Sequence, residues 1–453
     1  MRSVFGDKRL DKRLEQLTEE LSAVPIAKLP QALPNISSLK AGYRFMNNEH
    51  VTQAGIIETE RNQTWQRIGA DEGQFLLAVQ DTTAFNFAKR PALKGLGVLE
   101  DNRTSGFFAH TTLAVSDKGV PLGILEQQVW SRPANLNRDK EAHKQRPITE
   151  KESYKWIKGL PEIPQTIQHR LVTVCDREAD IYELFQESQR QQLDFIVRVV
   201  RNRRLEDVTL LYEHLHDVQV SDTYEVTVQR QQNQVERVAS VELRYTTVTL
   251  LPPKNRTQAA TSMPLEPLSV QIVEVREVNP AEDVKQPLHW VLMTTLPVTT
   301  HDEAHQIVRF YTYRWLVERF HYVLKSGGCD FEQSQLRTVE ALYRLLGLCS
   351  RVAWRLLWLT YEARQSPDVS CSLVLSDVEW QALTAFTNTS KQPASQPPSL
   401  REAVHTIARL GGFIGRKSDG EPGVKTLWRG WQRLQDIVAT WLIFNPPPDV
   451  GNV

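Results

Sequence analysis

Tyr311, Arg314, Glu318 and Lys325 fall in the pattern Y-x2-R-x3-E-x6-K. At about 100° per residue, a helix places all four within roughly 60° of one another around its axis. Leu316, Phe320, Val323 and Leu324 point the other way. The result is a stripe of one phenol, two cations and one carboxylate in front of an apolar back. An Arg and a Glu four apart are an ordinary surface pair on their own. A Tyr and a Lys on the same line suit a phosphodiester. Cations hold phosphates, an aromatic packs on sugar or base, and an acid holds a metal.

Two further acids fit this chemistry. Asp81 follows the apolar run Phe75–Val79, and Asp176 follows Leu171–Cys175. Each reads as an acid delivered at the carboxyl end of a buried strand, where open sheets place their sites. A single such Asp is more often a turn former or helix cap. Together with Glu318, three carboxylates from separate elements suit hard cations such as Mg²⁺. Two such ions about 4 Å apart activate water and stabilise a leaving oxygen, so no general-base side chain is required.

The positioning elements are legible along the chain. The stretch His301–Gly328 carries no proline, opens on Asp302 and Glu303 and ends on Gly327 and Gly328, so it reads as one helix. Residues 5–24 and 37–47 read as helices rich in basic and aromatic side chains, including Lys8, Arg9, Lys12, Arg13 and Arg44. Phe107–Val115 and Val120–Trp130 read as a hairpin across Asp117-Lys118-Gly119. Residues 131–155 read as a loop leading to a helix near 150–159. Asp194–Arg204 combines a strand with a basic cluster that includes Arg198. Period-two patterning from about Ser221 to Glu277, broken by a proline-bearing loop at 251–265, reads as an antiparallel β insertion. Leu288–Leu292 is a further strand and carries Trp290. Residues 335–364, 402–411 and 425–444 read as helices, separated by a polar, proline-rich linker at 388–399 and followed by a loose tail at 445–453.

Composition bounds the rest. A chain of 453 residues exceeds one simple domain, and 41% apolar with 24% charged residues describes a soluble globular protein. Net charge is zero, so any nucleic-acid surface is local. The four cysteines show no C-x-x-C pairing, which fits a reducing cytoplasm. No apolar signal segment opens the chain. The most apolar run, Ala341–Tyr361, contains Arg344, Arg351 and Arg355 and reads as a packed helix, not a membrane span. Residues 411–418 fail the phosphate-loop spacing.

The Y-x2-R-x3-E-x6-K pattern, with QDTT at 80–83 and VCDREADI at 174–181 in that order, resembles the signature of bacterial cut-and-paste DDE transposases. The group is the insertion-sequence-four family, typified by the transposon-five transposase. FGDKRLDKRL and AGYRF resemble its N-terminal DNA-binding region. IARLGGF and LWRGWQRLQ resemble its C-terminal region. The resemblance covers nearly the whole chain and departs at the front, where only Met-Arg-Ser-Val precedes the FGD segment. It implies an α/β fold: an RNase H-like catalytic core with a β insertion, flanked by a helical N-terminal DNA-binding region and a helical C-terminal domain. The corresponding divisions are 1–60, 61–330 (insertion about 205–285) and 331–453.

The resemblance further implies Asp81, Asp176 and Glu318 as catalytic metal ligands for two Mg²⁺ ions, for which Mn²⁺ substitutes. Tyr311, Arg314 and Lys325 would grip phosphates beside a flipped base, and Trp290 would stack on that base. Arg198, Arg13 and Arg44 are expected as further DNA contacts. The implied partners are double-stranded DNA, as transposon ends and target, and a second copy of the chain in the DNA complex. The implied place of action is the bacterial cytoplasm and nucleoid. The implied reaction is nicking, hairpin formation, hairpin opening and strand transfer. Two other readings stay open: a nuclease of the same core that does not join strands, and a decayed end-binding repressor. The intact triad weighs against the second.

Overall fold

Helices open the chain and a single long sheet follows. The computed structural model describes residues 3–446 apart from 91–92, 102, 134–145, 229–236, 255–264, 283, 388–394 and 417–418. Part of the expected loop at 131–155, most of that at 251–265, part of the linker and most of the tail therefore lie outside the described residues.

Helix α1 (Lys8–Ala23) is capped by the Asp7 carboxylate, which accepts from the Arg9 backbone N–H. Its buried Leu14, Leu17 and Leu21 recur at helical spacing and leave Lys8, Arg9 and Lys12 outside. Helices α2 (Leu29–Ala32), α3 (Ile36–Met46) and α4 (Gln53–Gly69) follow. Helix α4 was not evident in the sequence and runs unbroken through residue 60.

The sheet begins with β1 (Phe75–Asn86), β2 (Gly97–Val98), β3 (Ser105–Ser116) and β4 (Pro121–Trp130). The expected hairpin joins β3 to β4, and Gly119 in its turn has φ of +83°, a conformation that favours glycine. Next come α5 (Tyr154–Lys158), β5 (Arg170–Cys175), α6 (Tyr182–Arg190) and β6 (Asp194–Arg198). Strands β1, β5 and β6 are parallel, and β3 is antiparallel to β1. This antiparallel hairpin beside parallel strands is the RNase H-like core.

Helix α7 (Leu211–Asp217) leads into β7 (Asp222–Val228), β8 (Arg237–Leu250), β9 (Leu268–Glu277) and β10 (His289–Thr294). All four strands pair antiparallel, as expected of the insertion. They also continue the core sheet, because β10 pairs antiparallel with β6. The full order is β2–β3–β1–β5–β6–β10–β9–β8–β7, and β4 also pairs with β3.

The stretch expected as one helix over 301–328 is divided. Helix α8 (His301–Thr312), capped by Thr300 and Glu303, ends at Tyr313, and α9 (Trp315–Tyr322) begins after Arg314. Between them the backbone tightens to acceptors three residues back: Tyr313 donates to Phe310, Arg314 to Tyr311 and Leu316 to Tyr313. The Tyr313 ring lies against the Gly119 turn, so close that a Cβ there would sit 2.7 Å from it. The tightening lets both helices keep their apolar sides, Ile307 and Phe310 on α8 and Val317 and Phe320 on α9, in one core. A five-residue π turn, Val323–Gly327, closes the run.

Helices α10 (Val339–Gln365), α11 (Asp377–Thr387), α12 (Leu400–Leu410) and α13 (Val424–Phe444) complete the chain. The indoles of Trp428 and Trp431 on α13 donate to the Pro25 and Ser22 carbonyls, at 3.1 and 2.9 Å, and so fasten the last helix beside the first. Two cores sandwich the sheet. One holds α8, α9, α10 and α1 against Leu77, Val79, Val172 and Val174; the other holds α5, α6 and α7 against Leu76, Ala78, Leu171 and Cys175. No helix among the described residues is long and apolar enough to cross a membrane.

Candidate active site

The register of two parallel strands places the first two acids. Leu77 pairs with Val172 and Val79 with Val174. These four side chains lie in the core beneath α8 and α9. Strand side chains alternate, so one step further along the same face come Asp81 and Asp176. Asp81 is not at a strand end, as expected from the apolar run. Strand β1 continues to Asn86 because β3 keeps pairing with it, Asp81 opposite Thr111. What ends near Asp81 is the parallel partner β5. Asp176 stands one residue past β5 and accepts from the Glu178 N–H at 2.8 Å, capping a short 3₁₀ turn.

The two carboxylates feel each other. Burial pushes Asp176 above the usual carboxylate range, and the charge of Asp81 adds to that, while the Glu178 N–H acts against it. Burial pushes Asp81 upward too, but His321, the Thr82 N–H and Arg314 outweigh it and hold Asp81 below its usual value. His321 was not anticipated. It lies one turn beyond Glu318 on α9, is 5% exposed, and bridges Asp81 Oδ2 (Nδ1 at 3.7 Å) and Thr111 Oγ1 (Nε2 at 3.3 Å). Its only signal in the sequence was that one-turn offset from an acid.

Glu318 is brought to the same face on α9, but its carboxylate is paired with Arg314, Oε1 to Nη1 at 2.6 Å. Among the described residues, no three His, Cys, Asp or Glu side chains are drawn together as a ready metal cluster. The donor set nevertheless fits a hard cation at its centre. Two partly buried oxygen donors of like charge share this face, and the charge of Asp81 raises the free energy of ionised Asp176.

Arg314 is largely buried, and its Nε–H has no hydrogen-bond partner among the described residues. Its charge reaches both Asp81 and Asp176. Tyr311, expected on an exposed stripe, is only 3% exposed, and burial pushes its phenol upward. The break after α8 turns the ring inward onto Trp290, with ring centres 5.2 Å apart at 71°. Trp290 shares its face of β10 with core residue Leu292, so it sits on the acids' side of the sheet. Leu292 pairs with Arg198, which puts Trp290 just beyond the carboxyl end of β6. Arg198 donates to the His289 carbonyl at 3.0 Å, and its charge reaches Tyr311. Lys325 lies in the π turn, half-buried over the Phe85 ring at 5.5 Å. Burial lowers its pKa, against the charges of Glu332 and Asp81.

Arg13 (half-buried, on α1) and Arg44 (exposed, on α3) stand apart. No hydrogen bond or ion pair among the described residues ties either to the acids. Two further features escaped the sequence reading. Trp315 is 48% exposed beside the Arg314 guanidinium, 5.2 Å from ring centre to carbon. A cleft of about 290 Å³ opens beside Asp81 and is lined also by Thr82, Phe108, Arg132 and Lys155.

Three family profiles match the chain in order. Transposase DNA-binding matches residues 2–51, transposase DDE domain residues 134–354, and transposase Tn5 dimerisation domain residues 351–441. Asp176, Arg198, Trp290, Tyr311, Arg314, Glu318 and Lys325 lie inside the second match, and Asp81 precedes it. Arg13 and Arg44 lie inside the first.

Proposed function

Because the chain belongs to the DDE transposases of the Tn5 type, we propose that it excises an insertion element by nicking, hairpin formation and hairpin opening, and joins the freed 3′ ends to target DNA. Membership makes it a metal-dependent enzyme that cleaves DNA and transfers strands. The finer reading rests above all on the β1–β5 register, which carries Asp81 and Asp176 to one face beneath the helix that bears Glu318.

Asp81, Asp176 and Glu318 would hold divalent cations, Mg²⁺ or Mn²⁺, which supply Lewis-acid activation of the attacking oxygen and neutralise the leaving one. Glu318 becomes available when Arg314 exchanges it for a DNA phosphate. The unpartnered Nε–H of Arg314 supports that exchange, since a guanidinium holds phosphate with two N–H groups. His321 keeps Asp81 oriented from beneath. Lys325 and Arg198 flank the same face and would hold neighbouring phosphates. Trp290, backed edge-on by Tyr311, offers its face to an unstacked base. Stacking returns about 1–3 kcal/mol, against a few for flipping.

In this reading the helical region of residues 1–60, with Arg13 and Arg44, grips the element's end. Residues 61–330 form the catalytic body, and helices after 331 pair two copies so that both ends are cut together. The protein would act in the bacterial cytoplasm, on the nucleoid.

The test is processing of a DNA fragment carrying the element's own end, with Mg²⁺, by the intact chain and by Glu318→Ala. Nicked, hairpin and joined products from the intact chain, all absent with the variant, are expected. Cleavage that survives Glu318→Ala would overturn the assignment of Glu318. Nicks without joined product would point to a nuclease.

A further inference from the structure

Joining two DNA strands places a demand on the acids that nicking does not. The attacking 3′-oxygen and the leaving 3′-oxygen lie roughly in line on opposite sides of the phosphorus. Two strands must therefore reach Asp81 and Asp176 from two directions. Arg314, Tyr311 and Trp290 approach from the sheet face beneath α8 and α9. A second approach, from the side of the other core, is the cleft beside Asp81.

That cleft is built differently from the first approach. Lys155 comes from α5, whose Trp156 and Ile157 belong to the core on the other face of the sheet. The Lys155 side chain is only 11% exposed, and its Nζ stands 5.8 and 5.5 Å from the ring centres of Trp130 and Trp156. Its charged partner is Glu178, at 3.5 Å, a side chain mostly in solvent and free to turn away. The Arg132 guanidinium lies over Phe108, 4.1 Å from the ring centre, and is held there by Glu152 at 2.7 and 2.6 Å. Phe108 is stacked in turn on Trp130, ring centres 5.6 Å apart. The α5 backbone is fixed to β4, Gln128 donating to the Lys155 carbonyl at 2.9 Å.

We propose that this cleft is the subsite for the target strand, with Lys155 taking a target phosphate and the Arg132–Phe108 stack supporting the neighbouring sugar or base. The inference rests on the active-site reading given above. In the joining step, a bond forms between the element's 3′-oxygen and the target phosphorus. The target's own bond from phosphorus to its 3′-oxygen breaks. The hydroxyl proton passes to solvent water, and the departing 3′-oxygen takes one from solvent. The first nick uses water as the attacking group and needs no occupant of the cleft.

The experiment uses the full chain assembled on two sets of end duplexes. Uncut ends score nicking, and ends already cut at the element's boundary let joining bypass hairpin formation. A short plain duplex that carries no element end is the target. It compares the intact chain with Lys155→Met and Lys155→Arg. Lys155→Met is expected to lower the ratio of joined to nicked product about tenfold, the worth of one charge-assisted phosphate contact. It is also expected to reduce the salt slope of target capture by about one ion, without metal present. Lys155→Arg is expected to restore both. An unchanged ratio and slope for Lys155→Met would overturn the subsite. So would equal loss of nicking and joining that Lys155→Arg fails to restore, since Lys155 would then only support the fold. Absence of any nick by the intact chain would instead sink the active-site reading itself.

Discussion

Asp180 stands four residues past Asp176, and its removal tests how the acids and the basic loop after β6 are held together. Its carboxylate is buried and accepts from the Val200 and Arg201 backbone N–H groups at 2.9 and 2.8 Å, and from Arg203 Nε at 2.9 Å. The Arg203 Nη2 also bonds it, and the same nitrogen reaches the Asp180 carbonyl at 2.9 Å. The guanidinium packs against the rings of Phe185 and Tyr182, 5.1 and 5.7 Å from their centres, and is itself buried. Asp180→Ala leaves that cation without its carboxylate, with only the backbone carbonyl of residue 180 as acceptor, which costs about 3–5 kcal/mol. It also strips two backbone N–H groups, at about 1–3 kcal/mol each if no water enters. The terms overlap, so a loss of about 4 kcal/mol is expected.

Urea unfolding followed by tryptophan fluorescence reads this loss. The double variant Asp180→Ala/Arg203→Met should recover more than half of it, because an apolar replacement of a buried pair is nearly neutral. The backbone N–H terms then remain as the residue. A single-variant loss below about 1 kcal/mol, or a double variant as unstable as the sum of its singles, would refute the reasoning. End-DNA affinity should weaken in the single variant as well, since Arg198 sits directly before the pinned loop.

Further outcomes follow from other sites. Trp290→Ala should weaken flipping at the element's end by about 1–3 kcal/mol, read as reduced fluorescence of a base analogue at that position; an unchanged signal would remove Trp290 from the stacking role. His110 is buried between Thr82 Oγ1 and Gln80 Oε1, and burial holds its pKa down to about 3 from 6.5. The folded state thus keeps it neutral while the unfolded chain protonates it below 6.5. Stability should fall by about 1.4 kcal/mol per pH unit from 6.5 towards 3, and His110→Gln should flatten the part of the urea-midpoint change between pH 7 and 5 that His110 supplies. Burial pushes the thiol of Cys175 well up, and all four cysteines are buried and unpaired. A thiol reagent should label them only after denaturation, and fast native labelling would contradict the packing. Arg314→Ala should lower end-DNA affinity and its salt slope by about one ion, measured by anisotropy without metal.

Much of this architecture was readable from residue types because the strands are short apolar runs with turn residues between them. Phe75–Val79 and Leu171–Cys175 announce buried strands, and alternation alone sets Asp81 and Asp176 on the faces of Val79 and Val174. The Asp117-Lys118-Gly119 turn announces its hairpin. The division of the 301–328 stretch was not readable, because neither Gly nor Pro marks it. It arises from packing against a turn nearly two hundred residues earlier. The burial of Tyr311 follows from that division. Helix α4 escaped notice because polar residues dilute its apolar period. The pairing of β10 with β6 links segments far apart in the chain, and no local pattern encodes it. His321 and Lys155 were hidden for a related reason. Each acts from an unremarkable helical position, and only the fold shows what lies opposite.

Trp290 and Arg198 are carried by hydrogen-bonded neighbours in one ladder with the acids. The backbone therefore behaves as a ruler graduated in two-residue steps. A single-residue insertion or deletion in β10 between Trp290 and the pairing with β6 would exchange Trp290 for a neighbour and turn its ring to the far face. A change of two would keep its side and shift its distance from Asp176 by about 7 Å. Drift of length in related sequences should therefore gather in the turns of the insertion and spare this strand, where an odd step abolishes the alignment and an even one moves the gauge past the DNA.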